Sequence, residues 1–156
     1  MIKNKLLYLP LIVLLFLTNC GFKINNNSVN FKLTEIVSEG DRRINFNIKN
    51  SLLNNSNNTS TDQKKIIIKT TKKKLISEKN IKNEITKYKI SINTEITLIN
   101  LIDKDSQNFS VIKDGVYNVD SKYSVSLNNE KKLINLLIKS LIEEILEKLA
   151  EVSNDI

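Results

Sequence analysis

Tyr88-Lys89-Ile90-Ser91-Ile92-Asn93-Thr94-Glu95-Ile96-Thr97-Leu98 alternates between two kinds of side chain without a slip. Tyr88, Ile90, Ile92, Thr94, Ile96 and Leu98 fall on one side of this stretch; Lys89, Ser91, Asn93, Glu95 and Thr97 fall on the other. Successive residues of a strand point to opposite faces of a sheet. The period of two therefore predicts a strand from Glu84 to Ile102, with one face on a core and one against water or a partner.

On its C-terminal side, Lys104-Asp105-Ser106 turns the chain back. Phe109 to Leu127 then reads as a strand broken at Lys113-Asp114-Gly115, with Tyr123, Val125 and Leu127 resuming the inward face. Asn128 or Asn129 is the expected cap of a helix from Glu130 to Val152, about 35 Å long at 1.5 Å per residue. Leu133, Leu137, Leu141, Ile145 and Leu149 step by four, with Ile134, Ile138, Ile142, Leu146 and Ala150 beside them. That is a broad apolar stripe, able to cover a small sheet.

On its N-terminal side, Lys64 to Ser77 reads as a strand whose alternation slips near Thr70-Thr71, as at a bulge. Asn54 to Gln63 is a polar loop. Arg42 to Leu53 is ambiguous: Ile44, Phe46 and Ile48 alternate, while Ile44, Ile48 and Leu52 are spaced by four. A capping Asp41 and the Leu52-Leu53 ending favour helix. Glu39-Gly40-Asp41 is turn chemistry, and Val29 to Leu33 reads as a first strand. The expected fold class is α+β, in the order β-α-β-β-β-α. It has one mainly antiparallel four-stranded sheet with two helices packed on one face and a polar, basic face opposite.

Ahead of this lie the basic Met1–Lys5 and a twelve-residue apolar run, Leu6 to Leu17, interrupted by Pro10. The run is too short to span a bilayer, which takes about 20 residues, and suits a cleaved signal peptide. Leu17-Thr18-Asn19-Cys20 resembles the lipobox of bacterial lipoproteins, with Asn19 where Gly or Ala is usual. That resemblance makes Cys20 the lipid attachment site, carrying a diacylglycerol and an acyl chain such as palmitate. Gly21, in place of an inner-membrane-retaining Asp, implies the outer membrane. The expected organisation is a signal peptide at 1–19, a lipidated tether at 20–28 and a single α+β domain at 29–156.

The chain has no histidine and a single cysteine. Ser-His-Asp and Cys-His nucleophiles, Cys/His zinc sites and internal disulfides are thereby excluded. With only Gly40 and Gly115 in the domain, there is no glycine-rich phosphate loop. No cofactor, metal or catalytic residue is expected. The adjacent Glu143 and Glu144 point about 100° apart on a helix and make no facing acid pair.

The formal net charge is +7, or +5 once Lys3 and Lys5 leave with the signal peptide. It concentrates between Lys64 and Lys89, where ten lysines meet only Glu78 and Glu84. Lys72, Lys73 and Lys74 at the tip of this region, with Lys87 and Lys89, are the candidate contacts for phosphate-bearing lipid or a partner. Lysines that protect a sheet edge from aggregation explain the same run without a ligand. Nucleic acid is not an expected partner, since no aromatic stripe interleaves the lysines.

Cys20-Gly21-Phe22-Lys23, and Gly40-Asp41-Arg42-Arg43 opening a helix with Ile44, Ile48, Leu52 and Leu53 along it, resemble the LptE-type lipopolysaccharide-assembly lipoproteins. The element order and the long C-terminal helix match as well. Ile24-Asn25-Asn26 departs from the Pro and Tyr that often follow Cys-Gly-Phe there. The resemblance implies a lipid-anchored, periplasm-facing outer-membrane protein and no enzyme. It would bind and plug an LptD-type β-barrel and assist lipopolysaccharide transport and insertion into the outer leaflet. The alternative is a pilot or structural lipoprotein of another outer-membrane machine.

Overall fold

A computed structural model describes residues 29–154. The expected signal peptide at 1–19 and the expected lipidated tether at 20–28, with Cys20, lie outside the described residues. The elements are β1 (Lys32–Gly40), α1 (Arg42–Asn55), β2 (Gln63–Lys79), β3 (Ile85–Asn100), β4 (Ser106–Asn118) and α2 (Tyr123–Asn154). They form one sheet in the order β1-β2-β3-β4. β1 runs parallel to β2 through the α1 crossover, and β2, β3 and β4 are antiparallel neighbours. The expected class and element order hold.

The alternation of β3 sorts the whole sheet. Ile66, Ile68 and Thr70 of β2 stand opposite Leu98, Ile96 and Thr94 of β3, and all six are buried. Val111 and Tyr117 extend this inner face onto β4. Ile44, Ile48 and Leu52 of α1 and the Leu/Ile stripe of α2 cover it, so both helices seal one face. Burial on this scale, at about 25 cal/mol per Å² of apolar surface, holds the layers together. The ambiguity of Arg42–Leu53 ends here. Phe46 is 64% exposed while Ile44 and Ile48 are buried, which is helical spacing and not alternation. Asp41 caps this helix, its Oδ1 accepting from the Arg43 and Ile44 amides at 3.1 Å each.

Four local expectations need correction. β1 starts at Lys32 and runs through Glu39-Gly40, while Val29 makes only an isolated bridge to Ser56. β2 has no bulge at Thr70-Thr71; its irregularities fall at Ile76/Glu78 and Glu78/Lys79. The two threonines keep register because the Thr70 and Thr94 hydroxyls bond each other at 3.1 Å in the buried layer. β4 crosses Lys113-Asp114-Gly115 unbroken. Gly115 sits there because a Cβ would lie 2.5 Å from the Leu133 Cδ1 of α2, so the glycine lets the helix approach.

The last correction concerns Tyr123, Val125 and Leu127, which open α2 and do not extend β4. The helix starts at Tyr123, ahead of Asn128 and Asn129. At 32 residues it is about 48 Å long. Asp120 ends the strand: its Oδ1 accepts from the Lys122 amide at 2.9 Å, and its own amide donates to Ser126 Oγ at 2.7 Å. Three alternating residues were too short a signal to outweigh that local turn.

Gly40 makes the strand-to-helix switch possible. Its φ is +94°, and an added Cβ would meet the Thr70 carbonyl oxygen at 1.9 Å. The Asp41 amide still donates to that oxygen at 3.2 Å, so the chain leaves the sheet only after its last rung. Gly40→Ala is expected to cost more than about 2 kcal/mol in chemical denaturation, from strain and collision with backbone. Gly115→Ala meets only a movable leucine tip and should cost less.

Candidate functional site

Beyond Thr70, β2, β3 and β4 continue as a three-stranded arm that β1 does not reach, with β2 as its edge. The sequence-predicted lysines lie on this arm, and strand alternation divides them between its faces. Lys72 and Lys74 stand opposite Ile92 and Ile90 on the inner face, whereas Lys73 stands opposite Ser91 on the outer. The three therefore form no single cluster, and they lie mid-strand, since the tip is Asn80–Glu84. Lys64, the first of the run, is buried beside Asp62 at 3.3 Å, its Nζ 4.9 Å from the Phe31 ring centre.

The inward lysines are held by acids from the two helical segments. Lys72 Nζ lies 3.0 Å from Asp41 Oδ2, so the carboxylate that caps α1 also ties α1 to the arm. Burial pushes the Asp41 carboxyl up, but Lys72 and the Ile44 and Arg43 amides outweigh it and hold it below its usual range. Lys74 Nζ lies 2.6 Å from Glu130 Oε2 of α2. It also sits over two rings, 4.4 Å from the Tyr88 centre and 5.3 Å from that of Tyr117. The rings stack at 5.8 Å, and Tyr117 Oη donates to Glu130 Oε2 at 2.8 Å. Burial pushes the Lys74 ammonium down, but Glu130 and Tyr117 outweigh it, and its pKa stands at about 12. Glu130 is pushed up by burial and pulled further down by Lys74 and Tyr117.

The sequence singles out Lys74 as a candidate contact and places Tyr88 on the inward face of β3, but it does not join them to Tyr117 and Glu130 in this cluster. Nothing local links residues at 74, 88, 117 and 130; only the register brings them together. It also explains the apparent slip at Thr70-Thr71. The inner face passes from apolar to ionic partners there, while the backbone keeps step. Two rings do flank a lysine, contrary to expectation, but Tyr117 is only 6% exposed and offers no open platform for bases.

The outer face is open, since both helices lie on the other side. It carries Lys65, Lys69, Lys73, Lys87 and Lys89. The expectation of a basic face is corrected, because Glu35, Glu39, Glu95 and Asp114 share it. Lys65 pairs with Glu35 at 3.0 Å, Lys87 with Glu78 at 2.5 Å and Lys89 with Asp114 at 2.7 Å. Partly exposed pairs like these are weak and exchangeable. Among them stand Leu75, Ile112 and Val116, each about half exposed. Glu143 and Glu144 diverge as expected: Glu143 lies 4.0 Å from Lys139, and Glu144 lies 2.6 Å from Lys113 of β4. Among the described residues, no three acidic or thiol side chains converge as metal ligands would.

No protein-family profile matches the sequence. No curated protein matches it either. The fold, however, is shared with solved bacterial lipoproteins. Rare lipoprotein B from Shewanella oneidensis superposes with a TM-score of 0.55 at 13% identity, over 80% of this chain and 95% of that one. A minor lipoprotein from Acinetobacter baumannii gives 0.53 at 8% identity, over 79% and 94%. At such identities the likeness is one of fold.

The ion pairs set a pH dependence. Glu130 and Asp41 titrate lower folded than unfolded, so their contribution is complete above their ordinary values and is lost as pH falls through the depressed ones. Lys74 titrates higher folded, so its contribution holds below 10.5 and is lost as pH rises through about 12. Melting temperature should therefore be flat from roughly pH 5 to 10 and fall at both ends. Glu130→Gln should lower the unfolding free energy within that range by about 1–2 kcal/mol and shrink both flanking losses.

Proposed function

We propose that this chain is an outer-membrane lipoprotein of the LptE type, anchored through acyl chains on Cys20. Its α+β domain seats in a large LptD-type β-barrel as a plug and assists lipopolysaccharide transport and insertion into the outer leaflet. It works by binding alone and uses no cofactor.

The observation that carries this reading is the asymmetry of the sheet. One face is sealed by both helices, while the other, four strands wide, meets the surroundings with exchangeable ion pairs and scattered aliphatic side chains. A polar wall with a few apolar anchors suits the polar lumen of a large barrel. The fold shared with lipoproteins and the lipobox-like Leu17-Thr18-Asn19-Cys20 after an apolar run support the anchor. Lys73, Lys87 and Lys89 project from the open face, and Lys87 and Lys89 can exchange Glu78 and Asp114 for lipid phosphates. Lys72 and Lys74 serve the fold instead.

Photocrosslinkers at Asn93 and Thr97, in the middle of the open face, are expected to trap one abundant outer-membrane barrel in the host. Capture of a barrel belonging to a different machine would favour the pilot-lipoprotein alternative. The absence of any barrel adduct would refute the plug. Changing Lys73, Lys87 and Lys89 together to Gln should weaken lipopolysaccharide binding of the purified protein at low salt by about tenfold or more, with little change in melting temperature.

A further inference from the structure

The arm of β2 has a flank that no strand covers among the described residues. β1 ends at Gly40, opposite Thr70, and β2 runs on for nine residues paired only with β3. Backbone groups of successive strand residues point alternately to the two flanks. Asp62 and Thr70 offer their carbonyl oxygens to the β1 side, to the Lys32 and Asp41 amides, whereas Gln63 offers its own to Leu101 on the β3 side. Even-numbered residues therefore face the β1 side. From this it follows that the amides and carbonyls of Lys72, Lys74 and Ile76 face outward, with no strand beside them among the described residues.

Such an edge invites another strand unless it is blunted. β4, the far edge of the sheet, is blunted by α2. Asn129 Nδ2 donates to the Asn118 carbonyl at 3.2 Å, and Lys148 Nζ to that of Ser110 at 3.3 Å. Among the described residues, the β2 flank from Lys72 to Ile76 has no such caps. Lysines protect an edge by standing free around it, but Lys72 and Lys74 are held on the inner face by Asp41 and Glu130. The surroundings carry a positive excess. Lys69, Lys73 and Lys79 lie along the strand, and Arg42 and Arg43 open α1; the acids beside them, Glu78 and the capping Asp41, are already paired with Lys87 and Lys72. The edge of β1 differs, since it carries Glu35 and Glu39.

We propose that the flank of β2 from Lys72 to Ile76 is a docking edge, which takes an extended acidic polypeptide segment by strand addition. Main-chain hydrogen bonds to Lys72, Lys74 and Ile76 would hold the segment, and its acidic side chains would meet Lys73, Lys69 and Arg42. The inference stands on the sheet edge and needs neither the lipid anchor nor the barrel.

The test uses the full chain in detergent micelles, with amide hydrogen exchange read residue by residue. The probe is a synthetic decapeptide of alternating Thr and Glu. At saturation it should slow exchange at Lys72, Lys74 and Ile76 by about tenfold or more. The same peptide N-methylated at alternate residues should not, nor should an alternating Thr-Lys peptide. Ile76→Pro removes an amide with no ladder partner, so it should abolish the protection at unchanged melting temperature. Unaltered exchange at the three amides overturns the proposal. Equal protection by the Thr-Lys or methylated peptide, or protection confined to β4, overturns it too.

Discussion

Side chains on a strand alternate between two faces, and in β3 that alternation runs unbroken from Tyr88 to Leu98. Everything else takes its position from this row. The inner half, Ile90, Ile92, Thr94, Ile96 and Leu98, must be removed from water, and a sheet of four strands has only its own helices to do it with. A slip of one residue would place Lys89, Ser91 and Asn93 against α2 and expose every isoleucine. The register is thus fixed by burial, reinforced by the Thr70–Thr94 hydroxyl contact in the middle of the apolar layer.

The same alternation explains why a run of lysines is not a cationic patch. Lys72-Lys73-Lys74 looks continuous in sequence, yet its members serve different ends. Lys72 anchors the cap of α1, Lys74 anchors the first turns of α2 over two tyrosine rings, and Lys73 alone faces outward. The two inner pairs join each helix to the arm at the point where apolar cover runs out. They act as struts, with charge taking over from hydrophobic contact where the arm projects past β1.

Much of this was legible before any coordinates. The β3 pattern, the capping Asp41 and the four-residue steps of Leu133 to Leu149 led directly to the class, the order and the one-sided cover, because each is a local rule with a single geometric outcome. The length of β4 was misread because Gly115 looks like a breaker in sequence; its reason lies in Leu133, eighteen residues away. The start of α2 was misread because Tyr123, Val125 and Leu127 alternate by chance, and a side-chain turn at Asp120 decided against them. The site was the least legible part. Which lysines pair inward depends on the Asp41 and Glu130 carboxylates, and these are brought near only by the crossover and the packed helix.

A sheet with one sealed face and one working face is the claim on which the functional reading turns. Hydroxyl-radical footprinting with mass spectrometry, on the free protein and in the native outer membrane, measures it directly. The account predicts that Leu75, Ile112 and Val116 label readily in the free protein and lose that labelling in the membrane, while Ile90, Ile92 and Ile96 stay unlabelled in both. Comparable labelling of the two sets in the free protein, or an outer face as reactive in the membrane as out of it, would contradict the account.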